Sequence, residues 1–329
     1  MSTQTPQLLL PAEYVNEATD AIMNAKKRVS FLCMLVADDE STDALIDALN
    51  ATAERGVKVD VAADVFTYGE LSGHFIPTRY FTKKARQTTS MTRKFEKSSV
   101  NFNWLGRFAN TPFTGRTHVK WCVVDDTVFS FGGVNLYDEG IASNDYMFKL
   151  HDKALANTLS DEYDRLLRAD GGRFAYRSRS IASTYGTVHI DGGLPFDSII
   201  YRRACTLTRD AESILYISQY GPTGRLSHLF KKTDSRLYFN DEKQAEGLNR
   251  FVIRFGLLFT RNKTQYTKKA YLHAKFIIFT MPGGKKIALT GSHNYVNGGV
   301  LLGTRENALE TENKNIILQL ESFYKKYVA

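Results

Sequence analysis

Cysteine, tryptophan and long apolar runs are scarce in this chain of 329 residues. Its three cysteines, Cys33, Cys122 and Cys205, are too few and too widely spaced for a disulfide framework or a cysteine-ligated metal, and they favour a reducing compartment. The longest apolar run, 31–37, is far shorter than the ~20 residues that span a bilayer. The first ten residues lack the basic start of a cleaved signal peptide. Together these absences predict a cytoplasmic protein.

The net charge of +8 is concentrated in one segment. Residues 71–117 contain nine Lys or Arg and a single acidic residue, so this segment holds the whole positive excess, and eight aromatic residues are interleaved with the cations. Such a mixture suits a polyanion or an anionic lipid surface, although a solvated helix with an apolar inner side is the simpler interpretation. The residues expected to contact a substrate surface are Lys83, Lys84, Arg86, Arg93, Lys94, Lys97, Trp104 and Arg107.

The hydrophobic periodicity divides the chain into two halves of alternating helices and strands. In the first half we expect helices at 13–28, 41–55, 78–97 and 153–168, and strands at 29–36, 57–62, 100–105, 118–124, 128–131 and 146–150. In the second half we expect helices at 198–210, 242–260 and 314–328, and strands at 213–218, 236–239, 272–279 and 286–290. The pattern predicts an α/β protein with domains at 1–170 and 196–329, joined by a connector at 171–195 that is rich in Gly and Ser.

A histidine and a lysine two residues apart occur once in each half, and each pair is followed by a glycine and an asparagine. The two sets are His118, Lys120 and Asn135 in the first half, and His273, Lys275 and Asn294 in the second. Because side chains alternate along a strand, each His and Lys share one face, about 6–7 Å apart. The Asn returns after a hairpin and can lie beside them.

This duplicated His-x-Lys-x4-Asp pattern, with Gly-Gly-x-Asn or Gly-Ser-x-Asn downstream, resembles the phospholipase D superfamily. The first copy matches at every position, including Asp125, whereas the second has Thr280 in place of the aspartate. Its Asn also follows its His by 21 residues instead of 17. The resemblance covers most of the chain. It implies two tandem phospholipase D-like units with mixed sheets flanked by helices, packed as a pseudo-twofold pair around one active site, with no metal or other cofactor.

Two histidines suit the in-line displacement of a phosphodiester, because one can attack phosphorus while the other protonates the leaving oxygen. The resemblance favours His118 as the nucleophile and His273 as the general acid. The two lysines and the two asparagines would bind the non-bridging oxygens. Each histidine needs a partner for its second nitrogen, and Asp145 and Glu306 are the candidate carboxylates. Asp125 is expected to hold its turn.

The run Gly-Gly-x-Asn-x-x-Asp-Glu at 132–139 is most similar to bacterial cardiolipin synthases, which transfer a phosphatidyl group to the hydroxyl of another lipid. This chain lacks the N-terminal membrane helices common among them, so we expect it to reach anionic phospholipid peripherally, at the inner face of the membrane, through the 71–117 segment. The alternatives are a metal-independent endonuclease that grips nucleic acid with the same cations, and a non-catalytic lipid- or nucleic-acid-binding module. No obligate protein partner is implied, and the choice between hydrolysis and transfer stays open.

Overall fold

The computed structural model describes residues 5–67, 83–106 and 114–329, with the backbone alone for Lys84 and Leu248. Contacts divide the chain into two compact units. The first takes most of the chain up to Ala175, and the second takes Tyr176–Ala329 together with two short pieces, Phe131–Gly133 and Ser143–Asp145. A few residues from the first half of the sequence therefore fold with the second half.

The first unit is built on a mixed sheet of seven described strands in the order β1-β7-β6-β5-β2-β3-β4. The strands are β1 (Gln7–Leu9), β2 (Arg28–Cys33), β3 (Lys58–Asp64), β4 (Asn101–Leu105), β5 (Trp121–Val124), β6 (Thr127–Ser130) and β7 (Met147–His151). Strands β2, β3 and β4 are parallel, whereas the remaining pairs are antiparallel. The described helices are α1 (Pro11–Met23), α2 (Asp43–Glu54), α3 (Lys83–Glu96), α4 (Asp138–Ile141) and α5 (Lys153–Gly171).

The core of the first unit lies between the sheet and these helices. Tyr14, Ala18 and Ile22 recur every four residues along α1, and all three are buried. They pack in one cluster with Val29 and Phe31 of β2. Burial of this stripe holds the helix against the strand. The helix predicted at 13–28 is thus present, but it spans Pro11–Met23, and Arg28 already begins β2.

The second unit repeats this topology, with seven described strands in the order β11-β10-β12-β13-β14-β9-β8. They are β8 (Arg179–Ser183), β9 (Gly186–Gly192), β10 (Ser213–Ile217), β11 (Asp234–Tyr238), β12 (Phe276–Thr280), β13 (Lys286–Gly291) and β14 (Arg305–Thr311). The described helices are α6 (Ile199–Asp210), α7 (Gly224–Phe230), α8 (Gly247–Leu257), α9 (Asn297–Leu302) and α10 (Lys314–Phe323). Shorter turns of helix lie at Glu242–Gln244, Pro282–Gly284 and Tyr324–Val328.

Six strands of the two sheets correspond one to one. In each unit one central strand has a parallel neighbour on one side and an antiparallel hairpin on the other: β2 beside β3 and β5 in the first unit, β10 beside β11 and β12 in the second. Three further strands, each antiparallel to its neighbour, also correspond: β6, β7 and β1 in the first sheet, and β13, β14 and β9 in the second. The predicted fold class, two α/β units with mixed sheets flanked by helices, is confirmed.

The segment 171–195 differs from the expected connector. It contains β8 and β9, and β9 pairs with β14 over six residues. Val188 and Ile190 of β9 are buried on the sheet. Gly186 suits the turn of this hairpin for two reasons. Its φ is positive, at 140°, and a side chain there would collide with the backbone of β14.

Candidate active site

The His-x-Lys pair of the first unit lies directly before β5, not within its ladder. His118 and Lys120 are 8% and 1% exposed. The Lys120 ammonium folds back along the chain and donates to the carbonyl of His118 at 3.1 Å. The strand predicted at 118–124 therefore begins only at Trp121, and a buried lysine reaches the histidine through its backbone carbonyl rather than across a strand face.

The second unit builds the same local structure before β12. His273 and Lys275 are 7% and 0% exposed. Nζ of Lys275 donates to the His273 carbonyl at 2.5 Å and lies 3.2 and 3.3 Å from the two ring nitrogens. A buried ammonium beside the imidazole can attract an anionic ligand.

In each unit the residue before the histidine is held by a polar side chain. That side chain lies at or just after the end of the strand that runs parallel to the central strand, β3 in the first unit and β11 in the second. Asp64 closes β3, accepts from the Thr117 N–H at 2.7 Å, and is paired with buried Arg116 at 2.8 Å. Asn240, two residues after β11, accepts from the Leu272 N–H at 3.0 Å and donates to the Leu272 carbonyl at 2.7 Å. These hydrogen bonds replace sheet pairing where each His-x-Lys segment lies outside the ladder.

Asp145 supports the histidine of the second copy. Its Oδ2 lies 2.6 Å from Nδ1 of His273, and its Oδ1 accepts from the Gly133 N–H at 3.2 Å. Asp145 is fully buried. Because the carboxylate accepts at Nδ1, it favours the tautomer that presents Nε2 for chemistry.

Glu306 lies on β14 and is 5% exposed. It accepts a hydrogen bond from Ser292 of the Gly-Ser-x-Asn run, so each candidate carboxylate is held by the second residue of its own glycine motif. In the sheet Glu306 lies opposite Asp191. Burial raises the pKa of Asp191 to about 7; the hydrogen bond from Ser198 opposes that shift and the charge of Glu306 adds to it.

The asparagines of the two motifs share an unusual feature. Over the residues that the structure describes, the side-chain oxygens of Asn135 and Asn294 are buried and have no hydrogen-bond partner. A buried amide left unsatisfied is uncommon in folded proteins and calls for an explanation. The same group is unsatisfied in both copies. An amide oxygen accepts hydrogen bonds, so these two atoms suit a ligand group that donates, such as a hydroxyl, and not a phosphate oxygen.

Asp125 was expected to hold its own turn, but its carboxylate instead binds the backbone that leads into β2. It has a positive φ of 52° between β5 and β6. Its carboxylate accepts from the backbone N–H groups of residues 26–28 at 2.8–3.1 Å. Burial would raise the pKa of Asp125, but these three N–H groups hold it below its usual value. At Thr280 a backbone bond replaces this clamp, because the Glu212 N–H donates to the Thr280 carbonyl at 2.8 Å.

The cationic segment is only partly a surface. Lys83, Arg86, Arg93 and Lys97 are exposed on or beside α3. Lys94 instead pairs with Asp38 and Asp47, at 2.9 and 3.3 Å. Trp104, expected at the substrate surface, is 9% exposed and packs edge-on against Phe102, because its strand faces the core. Arg107 and the Lys84 side chain lie outside the described residues.

Sequence reasoning missed the supports of the His-x-Lys segments. Asn240 follows a strand without any motif, and Tyr271, two residues before His273, stacks on its ring at 6.3 Å between centroids. Gln219 donates to the Tyr271 hydroxyl at 2.8 Å. The sequence offered one signal for this support, an aromatic residue two positions before the histidine. In an extended segment such a residue lies on the same face as the histidine.

In the described ranges, no three His, Cys, Asp or Glu side chains cluster in a way that could hold a metal ion. No helix in that same part of the chain combines the length and the apolar character needed to cross a bilayer.

Comparisons with known proteins agree with the motif. Residues 18–167 match the family model described as "Cardiolipin synthase, PLD-like domain". The resemblance to the phospholipase D superfamily is thereby confirmed for residues 18–167, which make up a little less than half of the chain. None of the curated proteins matches the sequence significantly.

Solved structures show the same fold. Phosphatidylserine synthase from Haemophilus influenzae superimposes with a TM-score of 0.69 at 13% identity, covering 99% of this chain and 87% of that one. Polyphosphate kinase from Porphyromonas gingivalis gives a TM-score of 0.61 at 12% identity, covering 97% of this chain and 49% of that one. At such low identity these similarities establish the fold alone.

Proposed function

We propose, on the premise that residues 18–167 form a phospholipase D-like domain, that this protein is a phosphodiesterase or phosphatidyltransferase acting on phospholipid. The observation that carries the proposal is the duplicated construction: each copy has a buried His and Lys, an anchored preceding residue, and an asparagine with an unsatisfied amide oxygen. The lipid substrate is favoured by the family description and by the similarity to a phosphatidylserine synthase.

In the proposed reaction Nε2 of His118 attacks phosphorus and forms a phosphohistidine as the bond to the leaving oxygen breaks. His273 gives the proton on Nε2 to that oxygen. Water or an alcohol then attacks phosphorus, His273 takes its proton, and the bond to His118 breaks. The ammonium groups of Lys120 and Lys275 and the side-chain N–H groups of the two Asn would donate to the non-bridging oxygens, whose charge changes along this path.

Asp145 explains why His273 suits the role of acid and base. A carboxylate at Nδ1 fixes the ring and stabilises the imidazolium, while the nearby Lys275 ammonium opposes a permanent positive charge. The proton on Nε2 can therefore leave and return during one cycle. This division of roles assigns attack to His118.

The proposal is tested by incubating the protein with vesicles of a phospholipid labelled in the head group, with and without an acceptor alcohol. We expect head-group release or a transfer product. His118→Ala and His273→Ala should each reduce turnover by at least about a thousandfold. His151→Ala, which changes an exposed histidine outside the motifs, is the matched control and should leave the rate unchanged.

Nucleic acid is the competing substrate, and the same preparations decide between the two. Cleavage of single-stranded DNA with no reaction on phospholipid would assign the site to a nuclease. Wild-type lipid turnover in both motif variants would contradict the two-histidine mechanism. Protein that binds either substrate and converts neither would identify a binding module.

A further inference from the structure

One surface of the second unit has features that the proposed reaction does not use. Helix α8 and the turn after it expose the large apolar side chains of Phe251, Phe255, Leu258 and Phe259, with 55–76% of each accessible. Their spacing places them along one face of the helix. Large apolar side chains exposed together usually mark a binding surface. We call these four residues and their flanking cations the α8 surface.

The sequence in and after this apolar face is rich in cations. Residues 247–270 contain no Asp or Glu and six basic residues, which are Arg250, Arg254, Arg261, Lys263, Lys268 and Lys269. Glu242, outside this stretch, makes one long contact of 3.9 Å with Arg254, whose side chain is 78% exposed. Glu246, the N-cap of α8, is a second acidic residue just outside this stretch. An apolar stripe bordered mainly by cations is complementary to a bilayer of anionic lipid.

A cavity of about 540 Å³ lies beside the exposed phenylalanines. It runs between α8 and α9 and is lined by Val252, Phe255, Phe259 and Leu301. Gly224 and Asn297 also line the cavity. They lie so close together that a Cβ added to Gly224 would be 2.8 Å from the Cβ of Asn297. The cavity is of a size usual for small-molecule sites, about 300–1,000 Å³, and its apolar lining suits a hydrocarbon chain.

The cavity is linked to the second histidine by two hydrogen bonds and one stacked pair of rings. Tyr220 lines the cavity, and Gln219 donates to the hydroxyls of both Tyr220 and Tyr271 at 2.9 and 2.8 Å. Tyr271 stacks on His273. The α8 surface is therefore continuous with the structure that supports the candidate catalytic residue.

We propose that the α8 surface docks the protein on an anionic phospholipid bilayer, with its apolar side chains among the acyl chains and its cations at the lipid phosphates. The inference rests on the proposed function and extends it, because it names the surface that brings the protein to its substrate. It also places the docking surface on the second unit and not on the 71–117 segment, because Trp104 of that segment is buried and its Lys94 is paired with an aspartate.

A bilayer fits this surface better than nucleic acid does. Phe251 and Phe255 stack on each other at 6.4 Å, and Phe259 packs edge-on against Phe255 at 4.9 Å. The three rings thus pack partly against one another. Leu258, the most exposed of the four, has no ring on which a base could stack. Aliphatic and phenyl groups among arginines match the interfacial region of a lipid bilayer.

The test is co-sedimentation of the full chain with vesicles of phosphatidylcholine, alone or mixed with phosphatidylglycerol. Leu258→Ser should weaken binding about tenfold, since it removes one leucine from the lipid. Leu318→Ser, on α10 and 61% exposed, is the matched control and should bind like the wild type. Arg261→Glu should weaken binding to the mixed vesicles about thirtyfold, whereas exposed Arg177→Glu should have little effect.

Equal binding by the Leu258 and Leu318 variants would overturn the proposal. The proposal would also be overturned if Leu258→Ser still bound vesicles but no longer bound an oligonucleotide, or no longer associated with a second copy of the chain. The protein with His118→Ala should still sediment with vesicles, which separates docking from catalysis. Wild-type protein that converts detergent-dispersed phospholipid but never sediments would refute docking alone. Sedimentation without conversion would refute the proposed reaction alone.

Discussion

Asp145 lies 2.6 Å from His273, although 128 residues separate them in the chain. The aspartate follows the first glycine motif, yet it folds with the second unit and supports the histidine of the second copy. Gly133 joins the same cluster, because its N–H donates to Asp145. Neither half of the sequence thus contains the whole of the second His-x-Lys site.

Asp145→Asn should reduce kcat by about a hundredfold or more while leaving KM nearly unchanged. The amide keeps the shape of the side chain, but it cannot stabilise an imidazolium, and it can hold the ring in the wrong tautomer. Steady-state kinetics on the labelled phospholipid measures both constants. Asp161→Asn, at an exposed position of α5, is the control. Unchanged kcat in Asp145→Asn would show that the hydrogen bond has no part in turnover.

Gly133→Ala should abolish activity because the site leaves no room for a methyl group. A Cβ there would lie 2.7 Å from Oδ2 of Asp145, 2.8 Å from Nζ of Lys275 and 2.9 Å from the His273 carbonyl. All three neighbours are buried, so the methyl group must displace them.

Gly171→Ala is the matched control for this substitution, because a Cβ at the end of α5 meets nothing within 4 Å. It should keep full activity and raise the free energy of unfolding by up to about 1 kcal/mol. Activity and urea denaturation are measured on both variants. A fully active Gly133→Ala protein would mean that the observed packing of Asp145 and Lys275 is unnecessary.

Asn240→Ala should lower the free energy of unfolding by about 2–4 kcal/mol, since it leaves the buried N–H and carbonyl of Leu272 without their partner. It should also lower kcat, because the peptide before His273 loses its anchor. Asn240→Asp keeps the acceptor for the N–H and should recover part of both losses. Asn315→Ala, at an exposed position of α10, controls for removal of an amide. The idea fails if the alanine variant loses stability but retains the wild-type kcat.

Stability should fall in acid through Glu310. Burial would raise the pKa of Glu310, but two bonds from Arg203, at 2.7 and 2.6 Å, and one contact with His189 lower it from 4.5 to about 2. Because the folded pKa lies below the unfolded one, the stabilisation is present above about pH 4.5 and is lost as the pH falls toward 2.

Glu310→Gln should therefore lower the free energy of unfolding at pH 7 by about 1–2 kcal/mol, after allowance for the partial exposure of the carboxylate. The difference from the wild type should shrink toward zero near pH 2. Urea titrations across this range provide the measurement. Glu312→Gln serves as the control, since its ion pair with Lys285 is more than half exposed on both sides. A constant difference at every pH would contradict the ionic origin of the effect.

Much of the fold could be predicted because its elements carry local signals. The apolar stripe of α1 and the apolar runs of β2 and β12 can be recognised directly in the sequence. Strand β14 was missed because Arg305, Glu306 and Asn307 are polar, although the sheet buries them. The predicted helix at 242–260 is in fact two pieces, because Gly247 has a positive φ of 54° at the start of α8.

The site was predictable to the extent that it follows a repeated motif. Spacing alone indicated that Lys275 would lie beside His273. The link from Asp145 to His273 depends on a contact between distant parts of the chain, and no local pattern encodes it. The anchoring by Asp64 and Asn240 is likewise a property of neighbouring parallel strands. The α8 surface was missed since an apolar helix face ordinarily predicts burial.

The most direct test of the central claim is to trap the covalent intermediate. Protein mixed with phospholipid is quenched in acid-free denaturant within one turnover and digested, and its peptides are weighed by mass spectrometry. The proposal predicts a phosphatidyl adduct on His118, absent from His118→Ala and accumulated in His273→Ala. An adduct on another residue, or single-turnover product formation with no histidine adduct at any time, would contradict it.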